Sequence, residues 1–573
     1  MNEKNLAPKE FKNPYINLVY KVWFYGYDMR FSLFACYLAF IVAQIIHSIG
    51  PFAFGKSIDL LQQFNNQLLD DVLVWQGISV GAVLLFWAFH GPARIFERKI
   101  SLKLTQNLKI MLYDGLTNMP LKWHLDHHSG DTISREKKAT IAIKNFSNDQ
   151  FIYVETIIKF VVSIAFLTWI APLIGLLSFL SCLIAMGVVL FYDKTLIPLY
   201  SKQNEIDNRA SGMLFDYLSN ITTIKTLRLG LVTKNKLQDE LNKMWPVYDK
   251  EVVLNEMKWF WMNTILTVVQ SIILITYIAW ELYYHSKIPI GTVVMIFRYQ
   301  TELSDVFGNL SYHYSDLVKM NSDLSGLNTI TNDIIEHQDK IYRFSIKTKK
   351  NPEIDQNWKK IAVENLTFSH LGHDSNENTK IFDNFSFIFN RGEKIALIGQ
   401  SGAGKSTLLK ILATALQPQE GHLIVDENKK FKSLHPLSEL ITLIPQSPEI
   451  FENTIEYNLT LGLEVSSEDI NKFIKIACFD SVLEQLPDGL NTDMREKGLN
   501  LSVGQSQRLA LARGLIAARN SSIILLDEPT SSIDQETEEK IIEQILLTFP
   551  DKTIIATVHR LHLVEKFGRV VKI

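Results

Sequence analysis

The run Gly399, Gln400, Ser401, Gly402, Ala403, Gly404, Lys405, Ser406, Thr407 follows an apolar segment, Ile395 to Ile398, and precedes a helical pattern. Between a strand and a helix this spacing suits phosphate. The glycines let backbone N–H groups close around the anion, Lys405 reaches the β- and γ-phosphates, and the Ser406 hydroxyl completes a magnesium shell. Further along, Ile523-Ile524-Leu525-Leu526 reads as a buried strand ending in Asp527-Glu528. Asp527 is placed there to hold magnesium through water, and Glu528 to polarise the water that attacks the γ-phosphate. Many α/β strands end in a solvated carboxylate, so the acidic pair takes its meaning from the phosphate loop.

Between these motifs lies Leu501-Ser502-Val503-Gly504-Gln505, followed by the helical pattern Ser506 to Arg513. Ser502 and Gly504 at a helix N-terminus offer a hydroxyl, backbone donors and a positive dipole end to an anion. Here the chain resembles the ABC ATPases, whose signature is LSGGQ; Val503 departs at the third position. The resemblance implies that the anion is the γ-phosphate of ATP held on the other half of a dimer. The remaining family elements follow in order: Gln446 in Ile444-Pro445-Gln446-Ser447-Pro448, the D-loop Ser532-Ile533-Asp534, and His559 in Ala556-Thr557-Val558-His559-Arg560. By resemblance, Glu528, His559, Lys405 and Gln446 are catalytic, while Ser406, Gln446 and Asp527 hold Mg2+. Taken singly, Gln446 reads as a surface amide, Asp534 as a helix cap and His559 as a strand-end imidazole. The adenine-stacking aromatic of the family falls on His370, where tyrosine is usual. Either the His370 ring stacks on the base, with less area than tyrosine, or Phe368 or another nearby side chain does so.

Elements outside this domain must account for most of the 573 residues, of which 47% are hydrophobic. Phe31 to Phe54 and Val72 to Ala93 are nearly or wholly uncharged and long enough to cross a hydrocarbon core of about 30 Å. Phe160 to Tyr192 lacks charge as well, but one helix of that length would rise roughly 50 Å, and Pro172 interrupts it, so it reads as a hairpin of two spans. Trp259 to Trp280 is a fifth, with interfacial aromatics at both ends. A sixth, beginning at Ile288 to Phe297, is soon followed by Arg298, Glu302 and Asp305, and rests partly on the resemblance.

Cations set the orientation. Lys4, Lys9, Lys12, Lys21 and Arg30 precede the first span, and nine more, from Arg94 to Lys138, separate the second from the third. The opposite connections offer only Lys56 and Lys287. Positive-inside reasoning places the N-terminus, both long polar connections and the ATPase in the cytosol. The expected location is a bacterial inner (plasma) membrane. The N-terminus carries neither a cleavable signal pattern nor an Arg-rich transit pattern, and Tyr15 to Phe24 reads as an interfacial elbow helix. A net charge of −3 gives no electrostatic case for nucleic acid. Cys36, Cys182 and Cys478 are too scattered for a disulfide framework or metal cluster and read as reduced packing residues.

His124-Leu125-Asp126-His127-His128 crowds metal-ligand types, yet its continuation Ser129 to Arg135 resembles the first intracellular connection of ABC exporters. Asp216 to Lys225 resembles the second coupling region. The expected fold is a multi-domain membrane protein: an all-α six-helix transmembrane domain followed by an α/β P-loop ABC ATPase. The expected boundaries are 1–30 for the N-terminal segment and elbow, 31–325 for the membrane domain, 326–358 for a linker and 359–573 for the nucleotide-binding domain. The chain shows no internal repeat, so the resemblance implies a half-transporter that pairs through its ATP sites. Val503 leaves a homodimer and a heterodimer both open. The expected activity is ATP-driven export of an unassigned substrate; the alternatives are import, for example of metal chelates, and an ATP-gated channel or regulatory membrane ATPase. Gln44, His47 and Ser48 share a face of the first span and Arg298 and Glu302 one of the sixth; they either line a polar pathway or pack and pair among themselves.

Overall fold

A computed structural model describes residues 8–62, 68–127, 129–338, 354–355, 357–370, 379–494 and 501–573. The chain divides into two compact units, Met1–Leu116 with Ser129–Glu336, and Thr117–His128 with His337–Ile573.

The first unit is helical. Helix α1 (Pro14–Tyr25) starts under Asn13, whose side chain accepts the Ile16 N–H, with proline at the first helical position. It is fastened to a later helix, Ile290–Ser325, by Asn17 Nδ2 donating to Asn321 Oδ1 (2.7 Å) and by the fully buried Lys21, whose ammonium lies 3.4 Å from Ser325 Oγ. The expected first span is two helices, α2 (Arg30–His47) and α3 (Ile49–Leu61), broken at Ser48. Pro51 has no N–H to give the His47 carbonyl and its ring crowds that turn, which accounts for the break. There follow α4 (Leu68–Thr117), α5 (Leu121–Asp126, a member of the second unit), α6 (Ser129–Asn148), α7 (Gln150–Ile170), α8 (Pro172–Ser219), α9 (Ile221–Thr226), α10 (Gly230–Asn242), α11 (Trp245–His285), α12 (Ile290–Ser325) and α13 (Asn328–Gln338). The α7–α8 hairpin turns at Ala171, in extended conformation, and α8 opens on Pro172.

Among the described residues, five stretches are long and apolar enough to cross a membrane: Arg30–Leu61, Leu68–Thr117, Gln150–Ile170, Pro172–Ser219 and Gly230–His285. Helix α12 falls short by hydropathy because protein surrounds it. It packs on α3, α6, α7, α8 and α11, and its Met295, Ile296, Tyr299, Leu303 and Phe307 are buried. Its N-terminus is held by α3: Asp59 accepts from Thr292 N and Thr292 Oγ1, and Gln62 Oε1 from Ile290 N. The two backbones touch here, since a Cβ on Gly291 would lie 1.9 Å from the Gly55 carbonyl oxygen. Helices α8 and α11 share a buried ion pair, Lys258 Nζ to Asp193 Oδ1 at 3.2 Å. The polar residues singled out in the spans separate: Gln44 and Ser48 are buried, His47 is exposed, and Glu302 accepts from Ser163 Oγ at 3.0 Å.

The second unit holds two sheets. Strands β1 (Lys360–His370) and β2 (Thr379–Asn390) pair antiparallel and, with β4 (Glu420–Val425) and β5 (Lys429–Phe431), form a sheet of order β2-β1-β4-β5. The other sheet is parallel, in the order β6-β7-β8-β3-β9, from β3 (Lys394–Ile398), β6 (Ile441–Ile444), β7 (Ile523–Leu526), β8 (Thr553–Thr557) and β9 (Arg569–Lys572). Strands β7 and β8 are near-continuous apolar runs, as a sheet buried on both faces requires. The helices are α14 (Lys405–Leu412), α15 (Ile455–Thr460), α16 (Ser467–Ile476), α17 (Asp480–Leu483), α18 (Val503–Ala517), α19 (Gln535–Thr548) and α20 (Leu561–Val564). Just after α5, the His127 ring stacks back on Trp123 at 4.2 Å and its Nδ1 meets the Trp123 carbonyl, so packing occupies that ring. All three cysteines are buried and free.

Candidate nucleotide site

In a parallel sheet the strand order decides which loops meet, and ligands gather at the carboxyl ends of the strands. Strand β3 delivers the phosphate loop, β6 delivers Gln446, β7 delivers Asp527 and Glu528, and β8 delivers Thr557 and His559. These four strands lie side by side in the order β6-β7-β8-β3, so motifs more than a hundred residues apart converge on one edge.

The loop from Gly399 to Gly404 turns through left-handed backbone at Gly402 (φ +84°) and Gly404 (φ +101°). Only glycine fits the second position, because a Cβ there would lie 2.5 Å from the Ile381 side chain. Lys405 opens α14, is 5% exposed, and donates to the carbonyls of Gly399 (2.9 Å) and Gln400 (3.1 Å). Ser406 Oγ donates to Asp527 Oδ1 at 2.7 Å, two oxygens side by side of the kind a hard divalent cation takes. Ser401, Gly402, Ala403 and Thr407 complete the loop and first helical turn.

Glu528 is the centre of the arrangement. Its Oε2 accepts from Gln446 Nε2 at 2.9 Å, and its Oε1 lies 2.5 Å from His559 Nε2. Its backbone sits in the left-handed region (φ +45°), which a glutamate enters only when its surroundings hold it. Thr557 supplies that hold: its Oγ1 accepts the Glu528 N–H at 2.8 Å and lies 3.3 Å from both Leu526 O and Asp527 Oδ1.

The second group is separate within the protomer. Ser502 caps α18, accepting the Gln505 N–H, while Gln505 Oε1 accepts the Ser502 N–H, a complete capping box. Leu501 is partly buried, Val503 is 65% exposed, and Gly504 packs on the Ser532 carbonyl. Asp534 caps α19 by accepting the Thr537 N–H, which holds its carboxyl below the ordinary range. The His370 side chain lies outside the described residues; its backbone ends β1 opposite Thr379.

Sequence reasoning passed over three residues. Thr557 stands in the sequence only as a neighbour of His559. Gln507, 4% exposed, donates to Ser531 Oγ (2.9 Å) and accepts the Ser532 N–H (2.9 Å). Glu538, 6% exposed, accepts from Thr530 Oγ1 (2.7 Å) and Arg560 Nη1 (2.6 Å), tying the segment after Glu528 to that after His559. A polar residue at a buried helical position was the available signal for the last two.

The profile described as "ABC transporter" matches residues 382–531, and that described as "ABC transporter transmembrane region" matches residues 33–304. The chain belongs to the ABC transporter family. An ABC ATPase domain, which binds nucleotide, and a helical membrane region thus share one polypeptide. This ABC transporter is similar to "Heavy metal tolerance factor 1" of Caenorhabditis elegans, 25% identical over 80% of this chain and 56% of that protein. It thus spans little more than half the length of that relative. It is also similar to an "ATM1-type heavy metal exporter" of Novosphingobium aromaticivorans, 24% identical over 89% of this chain and 82% of the other. A solved structure titled "Structure of a bacterial Atm1-family ABC exporter with ATP bound" superposes with a TM-score of 0.76 at 21% identity, covering 95% of this chain and 93% of that one. The fold is that of an ABC exporter, with one helical membrane unit and one ATPase unit in this chain.

Proposed function

We propose that this chain is an ATP-driven exporter working as a pair of half-transporters, each ATP bound between the Lys405 loop of one copy and the Ser502 helix of the other. The observation that carries the reading is the convergence of Gln446 and His559 on the Glu528 carboxylate, beside the Lys405 loop. Glu528 orients the attacking water and takes its proton, His559 and Gln446 fix that carboxylate, and Lys405 exchanges its loop carbonyls for the β/γ-phosphates. Ser406, Asp527 and Gln446 would hold Mg2+, which supplies charge neutralisation at the phosphates when bound. His370 stacks on the adenine. The N-terminus and ATPase are cytosolic, and the domains divide near residues 30, 325 and 358. Gating without turnover would not require a carboxylate held by two partners in a left-handed backbone.

The test is transport in vesicles of defined orientation, using compounds selected because they stimulate ATPase activity in lipid. ATP should drive a stimulating compound away from the ATPase side, and Glu528→Gln should abolish the movement. Movement toward the ATPase side, or equal movement in the Glu528→Gln variant, would overturn the reading.

A further inference from the structure

Helix α18 presents its cap Ser502 outward, yet its next turn faces inward onto the machinery of its own chain. Gln507 is buried there with every strong polar contact crossing to another element. Its Nε2 donates to Ser531 Oγ (2.9 Å) and lies 3.5 Å from the Gln446 carbonyl oxygen, and its Oε1 accepts the Ser532 N–H (2.9 Å). The same seam is closed by two glycines. A Cβ on Gly504 would lie 2.8 Å from the Ser532 carbonyl oxygen, and one on Gly514 would lie 2.7 Å from the side chain of Ile444, the last residue of β6. The helix is therefore packed without clearance against the turn that follows Glu528 and the strand that carries Gln446.

We propose that Gln507 is a positioning residue that makes the Ser502 helix, the Gln446 turn and the Ser531–Ser532 turn move as one body, so that filling one ATP site sets the geometry of the other. The inference rests on the reading above, in which Ser502 serves the ATP of the partner copy while Gln446 and Glu528 serve the chain's own ATP. A displacement of Ser502 on meeting the partner's γ-phosphate passes through a buried amide with no solvent to absorb it. Both arms are needed: the N–H arm holds Ser531 and the Gln446 turn, and the carbonyl arm holds Ser532. Gln507 touches neither nucleotide nor attacking water, so its effect falls on coupling between sites more than on binding at either.

The experiment is ATPase activity against ATP concentration for the full chain in nanodiscs, comparing wild type, Gln507→Leu, Gln507→Glu, Ser531→Ala and Ser502→Arg. Two coupled sites give the wild type a Hill coefficient between one and two, the upper limit being the number of sites. Gln507→Leu should bring it to about one, with half-saturation moved less than about threefold, since only the coupling is removed. Gln507→Glu, which keeps the acceptor for Ser532, and Ser531→Ala, a mild change at an exposed turn, should fall between. An unchanged Hill coefficient in Gln507→Leu with only a lower maximal rate would reduce Gln507 to a packing residue and overturn the proposal, as would a wild-type coefficient of one. Failure of the underlying reading looks different: activity that survives Ser502→Arg.

Discussion

Replacing Thr557 with valine keeps the shape of the side chain and removes its hydroxyl. That hydroxyl is 2.8 Å from the Glu528 N–H, in a residue only 4% exposed, so water has little room to replace it. Leaving a buried donor unpaired costs about 1–3 kcal/mol. A non-glycine residue held in left-handed backbone stores a similar amount, of order 1–3 kcal/mol, so Glu528 loses its restraint just where it has a reason to relax. The carboxylate would then swing from Gln446 and His559. If that loss falls on the transition state, turnover drops by roughly five- to a hundredfold. Half-saturation by ATP should stay near wild type, because the Lys405 loop is untouched. Steady-state ATPase kinetics check this, with Thr557→Ser as the control that restores the acceptor. A Thr557→Val enzyme within twofold of wild type, or a Thr557→Ser enzyme as slow as the valine variant, would refute the reasoning.

His370→Ala should weaken ATP binding at nearly unchanged saturated turnover, since a base stack worth about 1–3 kcal/mol acts on ground and transition states alike; unchanged affinity by equilibrium nucleotide binding would hand the stack to Phe368 or another group. Gly291→Ala forces a methyl against the Gly55 backbone and should lower the thermal unfolding midpoint in detergent, overpacking typically costing about 1–3 kcal/mol. Gly77→Ala, where a Cβ meets nothing within 4 Å, is the control, and equal midpoints would sink the α3–α12 contact. Burial lowers Lys394 to about 8. From there to the unfolded value near 10.5 the folded chain has released a proton that the unfolded chain keeps, so the fold gains stability as pH rises through that window. The midpoint of wild type relative to Lys394→Met should therefore rise between pH 7.5 and pH 10, and a fall would show that the Phe549 and Pro550 carbonyls, to which its ammonium donates at 2.7 and 3.1 Å, stabilise the charge.

The family and both fold classes were legible because the motifs are short-range chemistry. Glycines in a phosphate loop, an acidic pair at a strand end and a serine-led helix each announce themselves locally, and Ser502 proves to be a capped helix start. The first span was legible as an apolar stretch, while its division into two helices at Ser48 was not, because hydropathy does not register what Pro51 does to a turn. Helix α12 was weak in the sequence because its apolar face is spent on protein contacts, which hydropathy scored against lipid cannot weigh. The spacing of Gln44, His47 and Ser48 holds, since the Ser48 N–H and hydroxyl both bond the Gln44 carbonyl, but spacing along one helix does not say which neighbours cover each residue, and burial divides them. Thr557, Gln507 and Glu538 escaped because each acts through backbone groups and side chains far away in sequence, and nothing in their own neighbourhoods marks those partners.

The account depends most on ATP joining two copies across Ser401 and Ser502, which are both exposed in the protomer. The direct measurement is disulfide cross-linking of a Ser401→Cys/Ser502→Cys chain in a Glu528→Gln background, where slow hydrolysis holds the closed state; Cys36, Cys182 and Cys478 are buried and compete poorly. The account predicts a covalent dimer that forms with ATP and magnesium and not without nucleotide. A cross-link confined to single chains, or a dimer formed equally with and without ATP, would contradict it.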